Sequence, residues 1–228
     1  MDTLLITYGL YLTVYSFLFR QCCQAAARKA NSIMDMVYGN GSEKAILQKQ
    51  VTGMATLLIA VIFFLCTQSN TSQIMMFPGI GNWLYAWIAA AALSLFTSTL
   101  HTMAATRKLK QQYHHSINTA VLYWYFPGRV VFLLLYEFFF RGILLFGIAS
   151  LLGTAGSVCI NIVLYTGLHA YSSREELAAT IPFGLVTCYL SLASGSVIPA
   201  AVLHILVSLT NELMITGSVN RSLKIHTV

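Results

Sequence analysis

Glu137, Arg141, His169, His204 and Glu212 are ionisable residues set within strongly apolar stretches of a 228-residue chain. Asn161, Ser208 and Asn211 are their uncharged companions. A charge at the centre of a membrane helix costs on the order of 3 kcal/mol to insert, so each such group is a functional hypothesis. The residue types suit amide hydrolysis by water, which needs a carboxylate to deprotonate the water, a donor for the oxygen that gains charge, and a cavity that admits water. Glu137, His169 and His204 provide them. No serine or cysteine lies in a nucleophile setting such as GxSxG, which favours direct attack by water over an acyl-enzyme. One glutamate and two histidines would also make a zinc site with water as fourth ligand. Because HExxH-type spacing is absent, the reading without metal or other cofactor is preferred.

Each residue also has a plainer reading. Glu137 and Arg141 are four apart with the glutamate first, the better order for an ion pair on one helix face. Arg141 cannot give up its proton and needs acceptors, so its role is chiefly structural. His169, near the end of its apolar stretch, can simply face lipid headgroups. His204 lies deeper, with Ser208 and Asn211 at i+4 and i+7, which makes a polar face inside an apolar helix. Glu212 is turned by about 80° from His204 near the helix end and reads as a boundary residue. Glu175 and Glu176 follow Ser173 with capping-box spacing, and so mark a solvated helix start rather than a catalytic pair.

The elements that must position these residues follow from composition. With 57% hydrophobic and 9% charged residues, the chain is excluded from ordinary soluble domains, where about a quarter of residues are charged. The expected fold class is all-α, a polytopic membrane helix bundle of about seven transmembrane helices. They are placed near 3–19, 51–67, 83–100, 130–150, 157–170, 180–193 and 197–216. Residues 117–126, stopped by Pro127-Gly128, suit either an interfacial helix or the first turns of the fourth span.

Basic residues gather in two connections, Arg20, Arg28, Lys29, Lys44 and Lys49 in one, Arg107, Lys108 and Lys110 in the other. This positive-inside signal places both in the cytoplasm and the N-terminus outside, and the expected location is a plasma (inner) membrane. The net charge of +6 thus serves the lipid bilayer, and no nucleic acid partner is expected. Asp2 stands where a signal peptide is basic, so the first stretch is expected to be an uncleaved anchor. The five cysteines are scattered without CxxC spacing and imply neither a disulfide framework nor a zinc knuckle.

The stretches YEFFFRG at 136–142, YTGLH at 165–169 and SGSVIPAAVLHILVS at 194–208 resemble the EExxxR, FxxxH and HxxxN or HxxxD motifs of the CPBP family. These are the CAAX-protease and bacteriocin-processing (Abi) intramembrane endopeptidases. The resemblance covers Val130 to Thr216, with motif order and spacing in agreement. It implies N-terminal transmembrane helices with basic cytoplasmic loops over 1–117, a catalytic helical core over 118–216 and a cytoplasmic tail over 217–228. The family's glutamates and first histidine are associated with activating water, and its second histidine with its asparagine or aspartate with stabilising an oxyanion. Carried over, Glu137 and His169 activate water and His204 donates to the oxyanion, with Arg141, Ser208, Asn211 and Tyr136 in support.

The departures are specific. Tyr136 stands for the family's first glutamate, Tyr165 for a phenylalanine and Ser208 for the final asparagine or aspartate. Neighbouring helix positions point about 100° apart, so Glu137 replaces a glutamate at 136 only if the helix is rotated. Asn211 reaches the role lost at 208 only from about a turn further on. The expected activity is intramembrane proteolysis of membrane-associated peptides or proteins at a site open to the cytoplasm. An inactive relative that binds a peptide, lipid or protein partner is the alternative reading, and a proton-coupled transporter the third.

Overall fold

A computed structural model describes residues 2–27, 43–67, 72–109 and 119–226. All regular structure among them is helical: α1 (Asp2–Ala27), α2 (Glu43–Thr67), the single turn α3 (Ser72–Met75), α4 (Trp83–Leu109), α5 (Thr119–Glu137), a π-helix (Phe138–Phe146), α6 (Gly147–Leu168), α7 (Arg174–Ser194) and α8 (Ile198–His226). Arg28, Lys29 and Lys110, part of the basic connections, lie outside the described residues.

Five helical stretches among the described residues are long and apolar enough to cross a membrane: Glu43–Thr67, Trp83–Ala104, Ala120–Leu168, Arg174–Ser194 and Ile198–Ser218. The all-helical membrane class is therefore as expected, while the count of about seven is not met by this measure. The stretch Ala120–Leu168 has 49 residues. Straight, it would run over 70 Å, more than twice the ~30 Å hydrocarbon core. It is not straight, because Gly153 has φ 70° and ψ 171°, backbone that a Cβ disfavours. The spans expected near 130–150 and 157–170 lie on either side of this break. Gly195, at φ 66°, likewise ends α7 and lets the chain turn into α8.

The expected stop at Pro127-Gly128 is not observed, since α5 runs through Pro127. Thr119–Phe126 are thus continuous with the helix that carries Glu137. Proline removes one helical N–H and opens the ladder there. Close by, the buried Gln50 of α2 donates its Nε2–H to the Tyr125 carbonyl at 3.0 Å. Gly128 makes room for that contact, because a Cβ at this position would lie 2.7 Å from Gln50 Nε2.

The core is built around the π-helix, in which Phe138 through Leu145 are all buried. From α1, Tyr8, Tyr11 and Tyr15 lie at i, i+3 and i+7 on one face. Tyr8 donates to the Gly147 carbonyl at 3.1 Å and Tyr15 to the Leu164 carbonyl at 3.0 Å, while Tyr11 meets Phe139 edge-on. α2 adds Leu57, Ala60 and Phe64 to the same cluster. α7 and α8 pack together, α8 also meets α5, and α4 packs mainly on α8. Large apolar side chains such as Leu12, Ile59, Phe96, Leu151 and Val163 point outward, as expected of a lipid-facing surface.

Candidate functional site

Glu137 is the last residue of α5, where the helix widens into its π-helical stretch, a local irregularity frequent at functional sites. His204 arrives from α8 with Nδ1 2.6 Å from Glu137 Oε1. The other carboxylate oxygen, Oε2, lies 3.3 Å from Arg141 Nε, both side chains having no exposed surface. The ion pair expected from the i,i+4 spacing is therefore formed, and a histidine completes it. An ionised carboxylate only accepts, so His204 donates its Nδ1–H and keeps Nε2 as its second nitrogen.

Arg141 is held on every side. Its Nη1 donates to Asn161 Oδ1, and its Nε and Nη2 donate to Thr187 Oγ1 at 3.2 and 2.5 Å. The guanidinium also lies 4.9 Å from the Tyr165 ring centroid, a favourable cation–π placement. Asn161 is oriented by its amide, which donates to the Phe140 carbonyl. The need of a buried arginine for acceptors is met by residues on three elements. Thr187 was not singled out in the sequence, where a lone threonine in an apolar helix usually back-bonds to its own turn. It does so here as well, to Phe183 and Gly184 carbonyls at 3.0 Å.

His169 caps the C-terminal end of α6. Its Nδ1 is 3.0 Å from the Tyr165 carbonyl, and because a carbonyl only accepts, Nδ1 carries the proton and Nε2 stays an acceptor in the neutral ring. Tyr165 links the two histidines, its ring 5.0 Å from His169 and 6.4 Å from His204. No hydrogen bond joins His169 to Glu137; the imidazole on Glu137 is that of His204. Tyr136 is buried against this group, its ring 6.0 Å from His204 and 5.8 Å from Tyr165.

Two expected supports point elsewhere. Ser208 accepts from Arg129 Nε and Nη2 at 3.3 and 3.2 Å and donates to Glu212 Oε1 at 3.2 Å, so its hydroxyl does not serve His204. Asn211 accepts from Ser98 and from Thr102, the latter at 2.8 Å, and fastens α8 to α4. Although Ser208 and Asn211 share a helical face with His204 by spacing, α8 is touched by a different helix at each level. Glu212, read as a boundary residue, pairs with Arg129 at 3.1 Å. Arg129 escaped notice because it directly precedes the stretch taken as the fourth span, yet it stands eight residues before Glu137 just as Glu212 stands eight after His204. Opposite charges at equal offsets on two helices were the available signal.

Ser173 Oγ accepts from the Glu176 N–H at 3.1 Å, and Glu175 and Glu176 are exposed, as expected of a solvated helix start. All five cysteines are free. Among the described residues, no three His, Cys, Asp or Glu side chains gather as a metal-binding group.

No curated protein and no solved structure matches the chain. A family model does match, over residues 112–210, the segment that holds Tyr136, Glu137, Arg141, His169, His204 and Ser208. The description of that family is Rce1-like, type II CAAX prenyl endopeptidase, so this segment is matched to the same CAAX-protease (CPBP) family that its three motifs resemble.

Proposed function

We propose that this protein is an intramembrane endopeptidase in which His204, held by Glu137, activates the water that cleaves a membrane-associated peptide. The observation that carries the reading is the 2.6 Å contact between Glu137 Oε1 and His204 Nδ1, which joins the first and third motifs across two helices. The Glu137 side chain has no exposed surface, whereas that of His204 is 14% exposed. Of the two, the imidazole is the group within reach of water. A carboxylate that holds Nδ1–H fixes the tautomer and stabilises the imidazolium that forms when Nε2 accepts a proton.

The reaction then runs in two steps. Water attacks the scissile carbonyl carbon, its proton passes to His204 Nε2, and the carbonyl oxygen takes the negative charge. As the carbon–nitrogen bond breaks, His204 returns that proton to the leaving amine. His169 Nε2 is a second acceptor that can orient the water, and Arg141 pairs with Glu137 so that the buried carboxylate is not an isolated charge. This departs from the expectation that Glu137 acts directly with His169, because Oε1 is taken by His204 and the carboxylate has no exposed surface. The reading assigns no metal or other cofactor. Residues 118–216 form its catalytic core, and α1 and α2 support the π-helix from the N-terminal part.

The name of the matched family makes a lipid-modified C-terminal peptide the first substrate to try. Counting α1 and both sides of Gly153 brings the spans to the expected seven, with the basic connections and the site opening on the cytoplasmic side. A second reading, a binder without catalysis, is favoured by Tyr136 at the motif's first position and by the enclosure of Glu137.

The test is cleavage of lipidated peptides by purified wild type, His204→Ala and Glu137→Gln. Glutamine keeps size but accepts Nδ1–H weakly and can turn its amide to donate to Nδ1, which puts the His204 proton on Nε2 and removes the base, so kcat is expected to fall by about 10⁴. Wild-type cleavage with Glu137→Gln equally active would sink the dyad, and a wild type that binds but never cleaves would establish the binder. Stoichiometric zinc by elemental analysis, lost with activity in His169→Ala, would replace the metal-free reading.

A further inference from the structure

The scissile oxygen gains a negative charge, and preorganised donors aimed at such an oxygen are commonly the largest single contribution to catalysis. Neither histidine supplies one in its resting form, since His204 Nδ1–H is given to Glu137 and His169 Nδ1–H to the Tyr165 carbonyl. Arg141 spends its donors on Glu137, Asn161 and Thr187.

Tyr136 is different. Its ring is held by Phe140 at 4.7 Å, by Phe132 and Tyr165 at 5.8 Å and by His204 at 6.0 Å. It is 6% exposed, and its hydroxyl is buried without any hydrogen-bond partner. A buried hydroxyl without a partner has given up its hydrogen bonds to water for nothing in return, so phenylalanine would be the more stable choice here. Buried polar groups left unsatisfied in a native fold call for an explanation, and a functional role is one. A tyrosine with an unperturbed pKa near 10 is protonated at neutral pH and can donate.

We propose that the Tyr136 hydroxyl donates a hydrogen bond to the scissile carbonyl oxygen as it becomes an anion, which makes Tyr136 the oxyanion donor of this site. The inference rests on the peptidase reading. Tyr136 keeps its proton throughout: the negative charge formed on the oxygen returns to the carbonyl when the carbon–nitrogen bond breaks, and His204 alone carries the transferred proton.

The experiment compares wild type with Tyr136→Phe in three measurements. The first is thermal stability in detergent, where the variant is expected to melt at the same temperature or higher, since the hydroxyl has no partner to lose. A clear fall would mean that it serves the fold, and would overturn the proposal. The second is affinity for a membrane-partitioning peptide phosphinate, a mimic of the tetrahedral species, against the matching reduced-amide peptide. The variant is expected to bind the phosphinate about 10²-fold more weakly and the reduced amide equally well. Equal phosphinate affinity in the two proteins, or no preference for phosphinate in wild type, overturns the proposal. The third is peptide cleavage, where kcat is expected to fall by about 10² to 10³ with KM unchanged. Tyr136-dependent phosphinate binding in a protein that cleaves no peptide would retain Tyr136 as the donor and remove the peptidase reading instead.

Discussion

Two charged clusters join α5 to α8, and their surroundings differ sharply. In one, Glu137, Arg141 and His204 meet where the π-helix begins, with the carboxylate and guanidinium wholly buried. In the other, eight residues or about 12 Å nearer the start of α5, Arg129 and Glu212 pair with side chains 28% and 12% exposed. The chemistry of the pairs is similar, but their tolerance of change is not. Arg129 can lean toward the helix end, and a long basic side chain near a span end can snorkel. Arg141 has no such freedom. Removing one partner of a buried pair strands the other charge, whereas partly exposed pairs contribute little. A buried pair is thus weak evidence for stability as such, and the retention of Glu137 and Arg141 at this cost supports a functional need for the carboxylate.

The largest effect is expected at Arg141. In Arg141→Leu, Glu137 loses its cation, and Asn161 and Thr187 lose the donor that organises them. A destabilisation of about 3–5 kcal/mol is expected, read as loss of folded yield and a lower melting temperature in detergent. Unchanged stability with lost activity would instead assign Arg141 a direct part in the reaction.

The double variant Arg141→Leu/Glu137→Leu sharpens the point. If the stranded carboxylate causes most of the damage, removing it as well should recover much of the stability, since apolar replacement of both partners is often neutral. It should recover no cleavage, because His204 then has no carboxylate. A double variant no more stable than Arg141→Leu would mean that the hydrogen bonds to Asn161 and Thr187 matter more than the charge.

The same comparison explains what could be read from the sequence. Glu137 and Arg141 were legible because two opposite charges at i,i+4 inside YEFFFRGILLFG admit few readings. The contact of His204 with Glu137 was not, because it depends on how α8 crosses α5. The π-helix carries no plain signature in FFFRGILLF, yet it sets the directions of the side chains that follow Glu137. Ser208 and Asn211 share a stripe with His204 by period, but a stripe does not tell which neighbour it faces at each level, and α5 takes one while α4 takes the other. Gly153 could be read as an interruption, but its positive φ was not legible from the residue alone, because glycine also occurs in helices, as Gly142 and Gly147 do here. Pro127 misled for a related reason: it lies inside α5 near a carbonyl that accepts from Gln50, a residue over seventy positions away.

The smallest effect is expected at Glu212, and it tests whether the two clusters are independent. Glu212→Gln removes the charge but keeps the size and an acceptor for Ser208, and Arg129 retains Ser208 and its place 5.6 Å from the Phe132 ring. The pair is partly exposed, so the loss should stay within about 1 kcal/mol. If water reaches the pair, the loss should shrink further as salt rises from 0.1 M, where the screening length is about 10 Å, toward 1 M. Cleavage should hold within about threefold in kcat/KM, less than 1 kcal/mol in transition-state stabilisation, because no hydrogen bond connects Glu212 to Glu137 or His204. A loss of cleavage as deep as that of Glu137→Gln, with stability intact, would show that Arg129 and Glu212 act on the reacting groups through α5 and α8. The two clusters would then be one site, and the contrast drawn from their burial would fail.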